Sequence, residues 1–147
     1  MGILKKLFGK KEPRALLQDI AISKDWIASA LNSSNYNADF SLNSLKEIDR
    51  FFVEQNTPKG LLGKNVGSKI FAIGSYVGEV IITVLGGEWV TDDDDPKGEI
   101  NISIMLADGS LIFPVQRVMN HYKNGRENGI YDYVYALLQN EKPALGP

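Results

Sequence analysis

A single histidine, a carboxylate set among glycines and a run of four aspartates are the places where this sequence could do chemistry. Glu79 follows Gly74, Tyr76 and Gly78 and precedes the apolar run Val80–Leu85. A carboxylate in such a setting is desolvated, so it must pair, accept hydrogen bonds or protonate. Lys69, Arg117 and Lys123 are its candidate cations, and backbone donors are the alternative. A perturbed carboxylate also marks active sites. Glu79 with His121 is therefore the one acid–base pair from which a hydrolase could be built. His121 stands between Met119 and Tyr122, with no nucleophile or carboxylate at a telling spacing. The plainer reading is a surface histidine near a helix C-terminus, where a positive charge suits the helix dipole. No residue is assigned a catalytic role.

Asp92, Asp93, Asp94 and Asp95 form the loudest polar signal. A calcium loop needs alternating oxygen ligands with glycine at its sixth place. Counting from Asp92 puts Lys97 sixth, and counting from Asp93 puts it fifth. Neither register holds a metal, and none is expected. Consecutive carboxylates in a turn read instead as a solvated surface or as an acidic docking patch for a basic partner. Gly60-Leu61-Leu62-Gly63-Lys64-Asn65 has two residues between its glycines and Asn after Lys, so it is not a phosphate loop. No cofactor is expected. The chain has no cysteine, which removes disulfides, thiolate nucleophiles and cysteine-ligated metals.

The formal net charge of −2 is unevenly spread. Residues 1–14 hold Lys5, Lys6, Lys10, Lys11 and Arg14 against Glu12, a balance of +4 that leaves −6 on the rest. An acidic body argues against nucleic acid and suits either solubility or a basic protein partner. In residues 1–11, Ile3, Leu4, Leu7 and Phe8 share one arc of a helical wheel. Lys5, Lys6 and Lys10 flank or oppose that arc, and Lys11 falls on the apolar side. This basic amphipathic segment could contact an anionic membrane, dock on a partner or stay a solvated tail. Gly2 is no acylation site, because Lys6 stands where the motif needs Ser or Thr. The lysines also break any secretory signal, and no apolar run approaches the roughly 18 residues of a membrane span. A cytoplasmic place follows, with contact at the inner membrane through residues 1–11 as the variant.

Three segments position these groups: the basic residues 1–14, one domain over residues 15–140 and a flexible tail over 141–147. Pro13 starts a helix through Leu16, Leu17, Ile20, Ile27 and Leu31, with Ser23 as a site for a fresh start. Phe40-Ser41 leads into a helix with Ser41 as N-cap, ending near Gln55 ahead of Pro58. Residues 68–85 have strand-forming residues at 80–84, yet Ile70, Ile73, Val77 and Val84 step at helical spacing. Gly86-Gly87 is a natural helix stop, so the segment reads as a buried helix whose Gly74 and Gly78 admit a close neighbour. Ile100, Ile102, Ile104 and Leu106 alternate as a half-buried strand. Residues 107–110 turn it into a partner strand over 111–115, and residues 88–90 are a candidate third strand. Short helices follow around Val118 and around Val134, with Tyr131 and Tyr135 on one exposed face. The fold class is α+β: a small antiparallel sheet flanked by about five helices.

Taken in order, Asp39-Phe40-Ser41 with Ser44-Leu45 and Asp49, then Gly74, Tyr76, Gly78-Glu79, then Gly86-Gly87 with Trp89, form a pattern. Pro114 and Asn124-Gly125 complete it. The ordered set resembles a group of small, mostly bacterial domains of unknown function and covers roughly residues 36–138. The resemblance implies an α+β fold and a helix over residues 68–85, and it implies no reaction. In size and charge such domains are similar to bacterial immunity proteins, which bind and block a toxin. The expected function is thus a non-enzymatic interaction domain of immunity type, with membrane tethering through residues 1–11 as the alternative.

Overall fold

A computed structural model of the chain describes residues 15–125 and 129–145. The helix α3, Val66–Leu85, is the element the others surround. Eleven of its twenty residues are buried, from Ile70 to Ile81, too many for a one-sided amphipathic stripe. The helix stops where Gly86 and Gly87 take φ of +80° and +114°, a conformation that a β-carbon resists. Its length and composition would suit a membrane crossing, contrary to the expectation that no run qualifies. In this fold, 61% of that stretch is covered by the protein itself.

The covering elements are α1 (Leu16–Ser33), α2 (Ser44–Gln55), α4 (Gly98–Asn101), α5 (Pro114–Asn124) and α6 (Ile130–Leu145). With them comes an antiparallel sheet in the order β1 (Glu88–Val90), β2 (Ser103–Met105), β3 (Leu111–Ile112). The fold is α+β, as the sequence predicts. α1 and α5 are the principal neighbours of α3. α1 is continuous through Ser23, so no second cap is used there.

Some predicted boundaries are corrected. Ile100 and Asn101 belong to α4, so the strand predicted from residue 100 begins at Ser103. The alternation survives at Ile102, Ile104 and Leu106, which are buried, whereas Ile100 is exposed. The returning strand ends at Ile112, and Pro114 starts α5 at its first turn, where its missing N–H costs nothing. Helix α2 begins at Ser44, after a turn in which Ser41 Oγ accepts the Ser44 N–H at 3.1 Å. α6 continues to Leu145, into the stretch expected to be a tail. The basic segment predicted over residues 1–14 lies outside the described residues.

Register assigns the two faces of the sheet. Trp89, Ile104 and Ile112 align across the strands and face inward. Glu88, Met105 and Leu111 align on the outer face. The inward side meets the glycines of α3. A β-carbon on Gly78 would lie 2.6 Å from Trp89 Cζ2 and closer still to Cη2, so the indole occupies the place of a side chain. One turn earlier, a β-carbon on Gly74 would lie 2.6 Å from Val115 Cγ2 and 2.8 Å from its Cα. The two glycines thus seat the first strand and the start of α5 on one helix face.

Gly78→Ala should therefore destabilise the fold by about 1–3 kcal/mol through overpacking against Trp89. In a Trp89→Leu background the same change should cost less, because alanine favours the helix by about 1 kcal/mol over glycine. Urea titrations of the four proteins measure the coupling, and equal costs in both backgrounds would refute the socket.

Candidate functional site

Asp39, Phe40, Ser41, Ser44 and Tyr76 of the pattern meet around one buried hydroxyl. Tyr76 is fully enclosed, and its ring stacks on Phe40 with centroids 4.5 Å apart. Its hydroxyl oxygen accepts the Phe40 N–H at 2.9 Å and lies 2.7 Å from Ser44 Oγ. Ser44 donates its one hydroxyl proton to the Ser41 carbonyl at 2.6 Å, so Tyr76 must be the donor to Ser44. The chain of donors runs Phe40 N–H, Tyr76 O–H, Ser44 O–H, Ser41 C=O. Ser41 in turn donates its N–H and its hydroxyl to Asp39 Oδ1 at 3.0 and 2.6 Å. Those two bonds hold the Asp39 carboxyl below its usual range. Burial pushes the Tyr76 phenol up, so it stays protonated and the relay stays intact. Phe40 adopts φ of +64°, a strained conformation for a non-glycine residue that this network holds in place.

Asp49 completes the pattern from the next turns of α2. Its Oδ1 accepts the Ile130 N–H at 2.8 Å and its Oδ2 accepts the Tyr131 N–H at 3.1 Å. A carboxylate from a distant helix thereby caps α6, satisfying two donors that a helix start leaves open and opposing its dipole. His121 Nε2 lies 3.8 Å from the same carboxylate. The histidine is buried, not on the surface as its sequence suggested, and its ring meets Phe52 edge-on at 4.8 Å. The apolar side chain of Phe52 on the neighbouring α2 draws it inward, a contact no local spacing reveals.

Glu79 is half-buried instead of enclosed. None of its predicted cations reaches it. Lys69 donates to the carbonyls of Leu61 and Lys64 at 2.6 and 2.8 Å, and Arg117 lies over the Tyr133 ring at 4.2 Å. Lys123 lines a hollow beside Met119. The hollow that His121 lines with Phe52, Val53 and Asn56 does not include Glu79, and the imidazole ring faces Phe52 of α2. Trp89 packs on Gly78 at the turn into β1, and Gly87 in that turn lies against Met105 and Ile104. Among the described residues no cluster of three or more metal-ligating side chains occurs.

The acidic turn does more than sit in solvent. Asp93 Oδ1 accepts the Leu16 N–H at 2.8 Å and so caps α1 from 77 residues away. Asp95 accepts the Lys97 N–H and the Asn101 amide, both at 2.9 Å, and the Asn101 bond foremost holds its carboxyl below the usual range. Asp92 accepts the Asp94 N–H at 3.0 Å, which leaves the Asp94 side chain pointing free of these bonds. Folded this way, Asp93 and Asp95 line an open cleft of about 580 Å³ together with Asp19, Glu99 and Ala15. Across Glu99 and Ile100 the cleft adjoins a second hollow of about 340 Å³, walled by Ile70, Phe71, Met119 and Tyr122. Of the four aspartates that sequence reasoning singled out, Asp93 and Asp95 line this groove, while Asp19 and Glu99 were not anticipated. That reasoning also missed the apolar half, whose walls come from α3, α4 and α5. Tyr131 and Tyr135 stack at 5.9 Å, with Lys46 4.7 Å over Tyr131, and line neither part of the groove.

Tyr76→Phe should cost about 1–3 kcal/mol, the penalty for a buried N–H and hydroxyl left without their partner. Ser44→Ala should cost less once Tyr76 is already Phe, and chemical denaturation of the double-mutant set tests this. Amide exchange of Phe40 should accelerate in step. Additive losses would show that the hydroxyls do not act as one relay. No family model, no curated protein and no solved structure matches this chain.

Proposed function

We propose that this chain is a non-enzymatic interaction domain of the bacterial cytoplasm that binds a basic protein partner in the manner of an immunity-type inhibitor. The observation that carries the reading is the acidic cleft, where Asp93, Asp95, Asp19 and Glu99 converge from the turn, α1 and α4. The net charge outside residues 1–14, −6, has the same sign. Complementary charge of this kind steers encounter and rejects acidic competitors. Against a hydrolase stands the hollow around His121, which Glu79 does not line. A tether of residues 1–11 on an anionic membrane is the second reading. It is supported by their sequence, but the chain leaves them at Ala15, beside carboxylates that an anionic surface repels.

If a neighbouring gene encodes a toxin, co-expression should restore growth and the two proteins should co-purify. Asp94→Lys with Glu99→Lys should weaken that complex at least about tenfold, since close interfacial charge pairs couple by about 1.5 kcal/mol or more. Neither side chain holds a hydrogen bond within the described residues, so the thermal midpoint should stay put. A complex indifferent to both changes and to salt would exclude the acidic cleft as the docking face.

A further inference from the structure

The two halves of the groove adjoin at α4, the single turn Gly98–Asn101, and share its Glu99 and Ile100. In the acidic half, Asp93 uses only Oδ1 among the described residues, on the Leu16 N–H, so Oδ2 is open to a cation. The apolar half, about 340 Å³, is at the lower end of the range for ligand sites. Its apolar surface continues beyond the hollow. Ile100, 37% exposed, and Met119 also line a further hollow of about 240 Å³ with Gln116 and Asn120. Charge gives the apolar half a direction. Lys123 lines it from α5 and Glu99 from α4, and neither is paired among the described residues. A cation on a bound segment is therefore repelled by Lys123 and drawn over Glu99 towards Asp93 and Asp95. Met119 adapts in shape and its sulfur favours an aromatic ring, and Tyr122 adds a face to pack on. A helix such as α4 is about 10 Å across, so an extended segment crossing it sets its cations about three residues from its apolar anchor.

We infer that the groove reads a basic segment of the protein partner through an aromatic anchor. A Phe or Trp side chain of the partner fills the hollow between Ile70 and Met119. A Lys or Arg about three residues away lies across Glu99, on the carboxylates of Asp93 and Asp95. The inference rests on the reading of the acidic cleft as the docking face, and it adds the side chain that sets affinity there. Charge alone would accept any basic chain, whereas the hollow selects one with an anchor at this spacing.

The test adds an acetylated, amidated peptide, Phe-Gly-Ser-Lys-Lys, to the isotope-enriched full chain. The amide resonances of Ile100 and Met119 should shift saturably. Replacing the peptide's Phe by Ala should weaken binding at least about thirtyfold, the loss of one anchor side chain. The isomer Gly-Ser-Phe-Lys-Lys, with anchor and cation adjacent, should bind at least about tenfold more weakly than the first peptide. Lys123→Glu should tighten the complex about threefold, and Glu99→Lys should weaken it by as much. No saturable shift at millimolar peptide, or equal affinities for the three peptides, overturns the inference. Affinity indifferent to Glu99→Lys and to salt overturns the acidic cleft instead, so the two readings fail separately. Shifts that grow with protein concentration before peptide is added would assign the hollow to a second copy. Shifts of Ile100 and Met119 on Leu7→Ser with Phe8→Ser, again without peptide, would assign it to the chain's own first residues. Either result overturns the partner as occupant.

Discussion

Burying α3 takes the Tyr76 hydroxyl out of water, and that hydroxyl must then be both donor and acceptor inside the protein. Its oxygen takes the Phe40 N–H, and its proton goes to Ser44, whose own proton goes to the Ser41 carbonyl. A relay of this kind has one sense of direction and one geometry. It fixes the turn over residues 39–44, sets Phe40 in a strained backbone conformation, and starts α2 on the correct side of α3. Because α2 is placed, Asp49 is placed, and α6 begins where that carboxylate meets its first two N–H groups. Half of the fold is thus specified from one phenol outward. Partly satisfied, the same network would cost more than an apolar core.

The first and last helices described, α1 and α6, depend on carboxylates used at a distance. Asp49 and Asp93 each cap a helix that begins about eighty residues away in sequence. Caps of this kind do two things at once. They neutralise the positive end of a helix, and they tie the ends of the chain to its middle. For the acidic turn this divides the labour among four neighbouring aspartates. Asp93 holds α1, Asp95 and Asp92 shape the turn, and Asp94 is left for solvent or a partner. A run that reads as uniform charge is structurally four different residues.

What could be read from the sequence was whatever local periodicity or glycine chemistry encodes. The helix over residues 68–85 was legible because its apolar steps and the Gly86-Gly87 stop agree, even though Val80–Val84 favours a strand. Close approach at Gly74 and Gly78 was legible for the same reason, but not that Val115 and Trp89 are the residues that approach. The strand predicted from Ile100 failed because a single turn of helix preserves the inward placement of Ile102, so alternation alone cannot distinguish the two. His121 was misjudged as exposed, since its burial comes from Phe52 on another helix. The apolar half of the groove was invisible because Ile70, Ile100 and Met119 meet only after α3, α4 and α5 have packed.

The glycine face of α3 also has a meaning in time. The residues that cover Gly74 and Gly78 are Val115 and Trp89, which lie after them in the chain. Synthesis runs from the N-terminus, so an apolar twenty-residue helix leaves the ribosome while one whole side of it has nothing to rest on. α1 and α2 are already available for the other side. The future centre of the fold is therefore synthesised before the residues that cover its glycine face, and only the later arrival of Trp89 and Val115 can complete its burial.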